Sequence, residues 1–432
     1  MSGTLVDTPV SPTRDSVETL ARRIVAELFG EPEERSFAVR YWTGEEEPAG
    51  AAAARAPAFT LVLRTPALLR RAFLPPSEIA LAEGFGRGEV DVEGDLEAAS
   101  VLPDILAERL RSPGRLARLT VLLLRLPTDG GRVTRRRRWS RRGRHTRERD
   151  ASAIRYHYDL GNDFYRLWLD RRMVYSCALF TSEDDDLDTA QEAKLDQICR
   201  ALRLAPGERF LDIGCGWGGL LVHAARHYGV EALGVTISPS QAALARERIA
   251  AEGLDRRCRV EVRDYRDLAG NDLFDKVASV GMFEHVGRRH MGQYFGVAAA
   301  ITRPGGLFLN RGIVCLDDAR PHPLLERMSR GLVRWGWFID RYIFPDGELV
   351  SVGDALARAE AAGFETREVI GLREQYATTL RHWRRRLEAQ RDAAVAEVGE
   401  PTYRIWRLYL AGCAHAFSTG RIGTTQMVLA RL

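Results

Sequence analysis

The sequence predicts a doubly wound, mostly parallel α/β sheet preceded by a small α+β domain, and three observations lead there. From residue 209 onward, buried-strand patterns alternate with amphipathic-helix patterns, as parallel strands joined by crossover helices require. At 432 residues the chain is about two to three domain lengths, too long for one core. Charge also divides it: residues 1–130 carry a net −5, residues 131–150 a net +8 and residues 151–432 a net +1. The expected division is a small N-terminal domain at 1–130, an Arg-rich linker at 131–150 and the α/β domain at 151–432.

The elements follow in order. Residues 1–15, with Pro9 and Pro12 among small polar residues, read as a tail. Apolar positions at Val17, Leu20, Ile24, Val25 and Leu28 have helical spacing, and 37–42 and 59–63 alternate like strands. Helical segments follow at 66–73 and 79–83, then a strand and turn around 87–99. A longer helix is expected over 96–124, interrupted near Pro113. In the second domain ERFLDIGC, EALGVTIS, CRVEVRDY, FDKVASVGMF and GGLFLNRGIV read as strands. LLVHAARHY and SQAALARERIAAEG read as helices between them.

Composition excludes several classes. The chain is 45% apolar and 28% charged, the balance of a globular protein, and no run reaches the ~18 apolar residues of a membrane span. The N-terminus lacks the basic-then-apolar layout of a secretory signal. Cys177, Cys199, Cys215, Cys258, Cys315 and Cys413 are scattered without zinc-ligand spacing, which argues against a disulfide framework or a structural metal and fits a reducing cytoplasm. The block GRVTRRRRWSRRGRHTRERD holds ten arginines. A solvated face, nucleic-acid contact and contact with anionic lipid head groups all accommodate such a run. Trp139 alone is thin aromatic support for nucleic acid, and no specific nucleic-acid partner is expected.

LDIGCGWGGL occupies the first strand-to-helix turn, where glycines let a ligand approach the backbone. The spacing also satisfies a dinucleotide loop, but that reading needs an acid at the end of the next strand, and Thr236 stands there instead. Asp212 within the first strand, the turn residues Gly214, Cys215 and Gly216, then Thr236, Ser238 and Gln241, and Asp264 with Tyr265 after the third strand form the set that an S-adenosylmethionine (SAM) site uses.

LDIGCGWGGL, GVTISPSQ and GMFEHVG, preceded by RYHYDLGNDFYRLWLDRRMVYSCALF, resemble the cyclopropane-fatty-acyl-phospholipid synthases and mycolic acid methyltransferases. The resemblance covers about 151–432, and the N-terminal domain resembles the accessory domain of the bacterial phospholipid-acting members. It implies a Rossmann-like SAM-dependent methyltransferase that adds a carbon to the double bond of an unsaturated acyl chain in membrane phospholipid, forming a cyclopropane. An alkene is a weak nucleophile, so alignment and a dry site must do most of the catalysis. Attack leaves a carbocation, which aromatic faces stabilise. By resemblance Tyr158 faces that cation and Tyr175 and Ser176 reach the donor. Cys177, Glu284 and Tyr376 would order a bicarbonate ion that accepts the proton. Cys413, in a GC dipeptide like the family's, is a further candidate, although methylation of an alkene needs no covalent enzyme intermediate and a packed thiol is the preferred role.

One position departs from the family. Arg311 in LNRGIV stands where members commonly carry a histidine, with Ile313 at the matching isoleucine. A guanidinium stays charged and cannot relay a proton, although it can grip bicarbonate or a carboxylate in a bidentate manner. A methylene- or methyl-branched product is therefore the nearest alternative, the latter needing a reductase partner. A small-molecule SAM-dependent methyltransferase and a non-catalytic lipid-binding protein complete the alternatives. Unsaturated phospholipid at an anionic membrane surface is the expected partner, with peripheral association at the inner face of the cytoplasmic membrane and self-association as in other members.

Overall fold

The computed structural model describes residues 14–50, 58–127, 160–268, 273–316, 336–344 and 347–432. These fall into two compact units, 14–127 with 336–338 and 160–316 with 339–432. The Arg-rich block and Tyr158 lie outside the described residues.

The first unit opens with helix Arg14–Phe29, whose Ala21, Ile24, Val25 and Leu28 are fully buried. Its sheet contains β1 (Ala38–Arg40), β2 (Glu46–Glu47), β3 (Phe59–Leu63) and β4 (Val90–Gly94), in the order β2-β1-β3-β4. Phe37 and Phe59 stack at 4.9 Å in the core. The long helix expected over 96–124 is broken into a 3-10 turn at Ala98–Val101 and helices Leu102–Arg109 and Pro113–Leu124. Ser112 starts the last of these by accepting from the Arg115 N–H, with Pro113 at the first position, where its missing N–H costs nothing.

The second unit holds a seven-stranded sheet in the order β10-β11-β9-β8-β5-β6-β7. Five strands are parallel: β5 (Arg209–Ile213), β6 (Glu231–Thr236), β7 (Cys258–Val262), β8 (Phe274–Val280) and β9 (Thr302–Cys315). β10 (Phe364–Gly371) and β11 (Ile422–Arg431), which the sequence pattern did not reveal, close one side antiparallel. β11 includes buried Thr424, Thr425 and Gln426 in an unbroken buried run, so it shows no period-2 alternation.

Strand parity sorts the core into two layers. Leu211 and Ile213 of β5 join Tyr294 and Phe295 of helix Met291–Ile301 and Ala355 and Ala359 of helix Val352–Ala361. Phe210 joins the opposite layer, with Leu195 and Ile198 of helix Leu187–Ala201, Leu221 of helix Gly219–Tyr228 and Ala245 of helix Pro239–Ala251. From β5 the chain winds out to β6 and β7, then returns to β8 on the other side. The crevice beyond the carboxyl end of β5 is thus the topological switch point, where such sheets bind ligands. Among the described residues, no helix is long and apolar enough to cross a membrane.

Candidate active site

A cavity opens at that switch point. Its wall includes Tyr175, Ser176, Asp212, Gly214, Cys215, Gly216, Thr236, Gln241, Asp264 and Tyr265, ten of the residues expected to meet the donor. Gly214 has φ +80°, and a Cβ there would come within 3.0 Å of the Met282 side chain. Gly216 has φ +53°, and a Cβ would meet nothing within 4 Å, leaving backbone open to a ligand. Cys215 is a packing thiol: it backs onto Gly234, where a Cβ would lie 2.8 Å from its Sγ, and burial pushes its pKa well up. Thr236 Oγ1 donates to Gln241 Oε1 at 3.0 Å, fixing the amide at the cavity edge.

Two expected donor contacts have other occupations. Ser238 is buried as the cap of helix Pro239–Ala251, accepting from the Gln241 N–H at 3.3 Å, and it does not line the cavity. Asp264 reaches the wall, but its carboxylate is held by Arg266 through Nε at 2.9 Å and Nη2 at 2.6 Å. Asp212 is the freer acid: Oδ1 is buried with no hydrogen-bond partner, and burial pushes the carboxyl up to about 7 against the pull of Lys194.

Sequence reasoning missed several wall residues, among them Lys194, Trp217 and His285. Trp217 donates from Nε1 to Asn162 Oδ1 at 2.8 Å, tying the turn after β5 to the NDFYR helix. His285 lines the cavity and packs 5.3 Å from the Phe344 ring. The aromatic residues of the NDFYRLW segment are largely core: Phe164, Tyr165 and Trp168 are buried and meet Trp406 at 5.4 to 5.8 Å. Tyr175 packs in this cluster, 5.4 Å from Trp168, and also lines the cavity, its hydroxyl 3.4 Å from that of Tyr409.

One residue beyond Ser176 the chain enters a second, drier cluster. Cys177 is buried, and desolvation raises its thiol while Arg311 opposes the shift. Tyr376, on helix Arg373–Ala389, is raised well above the usual phenol value by burial, with Tyr175, Glu284, Cys177 and Cys413 adding to it. Glu284 accepts the Ile313 N–H at 2.7 Å through Oε1, while Oε2 is buried without a partner. Burial pushes that carboxyl up to about 7. Cys413 lies beside Tyr376 and Tyr409, its thiol pushed up to about 12 by burial, so it stays protonated at neutral pH.

Arg311 is 2% exposed on β9, and its Nε, Nη1 and Nη2 have no hydrogen-bond partner. It acts on Cys177 and on Lys194. Directly opposite on β11 lies Gln426, fully buried, with both amide atoms unpartnered. Cys177 thus feels the cations Arg311 and Lys194, and it acts in turn on Tyr376, as Glu284 does.

The sequence profile of the Mycolic acid cyclopropane synthetase family matches residues 145–427. The chain belongs to that family. A "Probable fatty acid methyltransferase" of Pseudomonas putida is 41% identical over 90% of this chain and 90% of its own length. The "Cyclopropane-fatty-acyl-phospholipid synthase" of Escherichia coli K12 is 40% identical over 64% of this chain and 66% of its own. Among solved structures, the cyclopropane synthase MmaA2 from Mycobacterium tuberculosis aligns with TM-score 0.60 and 34% identity, over 65% of this chain and 98% of that one. The mycolic acid cyclopropane synthase CmaA1 complexed with SAH and CTAB aligns with TM-score 0.60 and 33% identity, over 65% and 98%.

As a mycolic acid cyclopropane synthetase family member, the chain is a SAM-dependent methyltransferase, and its second unit has the fold that the doubly wound pattern predicted.

Proposed function

We propose that the protein transfers a carbon from SAM to the double bond of an unsaturated phospholipid acyl chain, closing a cyclopropane. The observation that carries this reading is the continuity of Tyr175, Ser176 and Cys177. The first two line the donor cavity, and the third enters the buried cluster of Glu284 and Tyr376. The donor methyl and the reacting carbons would then meet in a water-poor site. The E. coli relative's name supports phospholipid as the substrate.

The buried polar atoms of this cluster fit an oxyanion such as bicarbonate. Arg311 offers unpartnered donors, and Glu284 keeps a free Oε2 on a carboxyl that is about half protonated near neutrality. Tyr376, protonated at neutral pH, and the Cys177 thiol complete the set. Bound there, bicarbonate would supply an oxygen base for the proton that the new methyl loses on ring closure. The protein's own part is to orient the acyl chain, exclude water and hold Glu284 where it exchanges a proton near pH 7.

Arg311 favours a second outcome, because it cannot pass a proton as the family's histidine can. A 1,2-hydride shift that moves the cation to the methyl-bearing carbon, followed by loss of a methyl proton, would leave a methylene branch, and hydride delivered to that branch by a partner reductase would give a methyl branch. The P. putida relative named as a fatty acid methyltransferase is compatible with either product. The Arg-rich block would hold the enzyme at an anionic bilayer. The test is NMR of acyl methyl esters after incubation with oleoyl-phospholipid vesicles, bicarbonate and methyl-labelled SAM. Upfield ring protons support the cyclopropane reading, and vinylic methylene signals replace it with branching. Unlabelled lipid from protein that binds the donor would overturn both and point to a small-molecule acceptor.

A further inference from the structure

We infer that the outward face of helix Pro113–Leu124 is an interfacial anchor that inserts into an anionic phospholipid bilayer. The inference rests on the reading of membrane phospholipid as the substrate, and it names the surface of the first unit that would meet it.

The helix is apolar on two sides. Leu119, Leu122 and Leu123 are buried in the core of the unit. Ala117, Val121 and Leu124 recur at helical spacing on the opposite side and face solvent. Val121 is 51% exposed and Leu124 56%. Scattered exposed apolar side chains need no explanation, whereas a stripe along one helix marks a contact surface. The stripe is held at both ends. Ser112 caps the helix start, and Arg70 Nη1 donates to the carbonyls of Leu124 at 3.3 Å and Leu126 at 2.5 Å, closing its end. Glu27, on helix Arg14–Phe29, accepts from Arg118 Nε at 2.9 Å and lies 3.4 Å from Arg115 Nε, which ties the two helices together.

Charge selects the occupant. Between Glu108 and Asp129 the chain has five arginines and no acid. Arg118 and Arg125 border the apolar stripe on one side. The groove beside it, which helix Arg14–Phe29 also lines, carries six arginines and four glutamates. Among the described residues, Arg23 and Arg125 of that groove are exposed and form no ion pair, so two guanidinium groups are open to lipid phosphate. The Arg-rich block at 131–150, net +8, follows directly in the sequence. Stable attachment to a membrane takes two signals, such as an apolar insertion and a polybasic segment, and here the two are adjacent. A second copy of the chain is a poorer occupant, because pairing two such helices would bring their arginine borders together.

Flotation of the full-length protein with dioleoyl-phosphatidylcholine vesicles, with and without phosphatidylglycerol, tests this surface. Wild type should prefer the anionic vesicles. Val121→Ser combined with Leu124→Ser should weaken that binding by about tenfold to a hundredfold, the loss from the exposed halves of two aliphatic side chains. Affinity for S-adenosylhomocysteine should stay unchanged in that variant. Arg125→Gln should weaken binding by about fivefold, on anionic vesicles alone. Leu124→Trp should gain fluorescence quenching by bromine-labelled acyl chains over wild type, a readout independent of whether the double variant folds. Wild-type vesicle affinity in the double variant would overturn the inference, and so would vesicle-bound Leu124→Trp without added quenching; either leaves the Arg-rich block as the contact. Equal binding to both kinds of vesicle would overturn it too, as would a double variant that loses self-association instead of vesicle binding. Vesicle binding that follows these substitutions while the lipid takes no label from SAM upholds the surface and rejects the substrate reading.

Discussion

Arg311→Met should make the protein more stable in anion-free buffer and remove its stabilisation by bicarbonate. The buried guanidinium has no oxygen or nitrogen acceptor at any of its three nitrogens, and the Cys177 thiol beside it is only a weak one. An uncompensated buried charge costs about 3–5 kcal/mol relative to a paired one. Methionine keeps the apolar stem and discards the charge, so after lost packing the gain should be about 1–3 kcal/mol. For a unit of this size that is a rise of a few degrees in Tm, about 2–4 °C per kcal/mol. Wild type has the opposite response: an anion at about 100 times its Kd adds about 2.7 kcal/mol through linkage. Thermal unfolding with and without bicarbonate at constant ionic strength and pH separates the two. If Arg311→Met is several kcal/mol less stable than wild type without anion, the guanidinium is satisfied inside the protein and the oxyanion site is refuted.

Three further substitutions probe the site. Cys413→Ser should retain methyl transfer within about threefold, with an unchanged pH profile, because a thiol held near 12 contributes no thiolate at neutral pH; a loss of a thousandfold in well-folded variant would restore a chemical role. Gly214→Ala should cost about 1–3 kcal/mol in denaturant unfolding and abolish measurable SAM binding, since its φ of +80° and the Met282 contact at 3.0 Å both exclude a Cβ. Glu284→Gln should change the pH dependence of stability. Burial raises Glu284 from its usual 4.5 to about 7, so the folded state binds the proton more tightly than the unfolded state. Wild type therefore loses stability as pH rises from about 4.5 to about 7, by about 3 kcal/mol, and Glu284→Gln should lack that loss. Urea unfolding of both proteins at pH 5 and pH 8 measures the difference, and parallel curves would place the carboxyl in a wetter environment.

The parallel half of the sheet and the donor cavity were legible because both depend on local pattern. A buried run such as RFLDI followed by a glycine turn states its own geometry, and ten of the eleven expected donor residues line one cavity. Ser238 misled because a serine before a helix suits a ligand contact and an N-cap equally, and here it caps. β11 was hidden by burial on both faces. Lys194 was hidden by its chemistry, since a lysine in an amphipathic helix usually faces solvent. A signal was nonetheless present. Lys194 falls on the apolar stripe of Leu187, Ala190, Gln191, Leu195 and Ile198, in a chain with two lysines against 61 arginines. The proximity of Cys177 to Arg311 could not be read from the sequence, because the approach of β9 to the segment after Ser176 is set by tertiary packing.

On the proposed function, the arginine in place of histidine would relocate proton exchange within the cluster rather than abolish it. Arg311 holds charge but cannot accept a proton. The Cys177 thiol and the Tyr376 phenol are raised by burial, and Cys413 is held near 12, so none of them exchanges readily at neutral pH. Glu284, at about 7, is matched to that range, and its free Oε2 gives it an acceptor site. Holding charge and moving protons would thus be divided between two groups where a histidine would combine them. On this division ring closure needs no histidine, and the cyclopropane product is chemically consistent with Arg311.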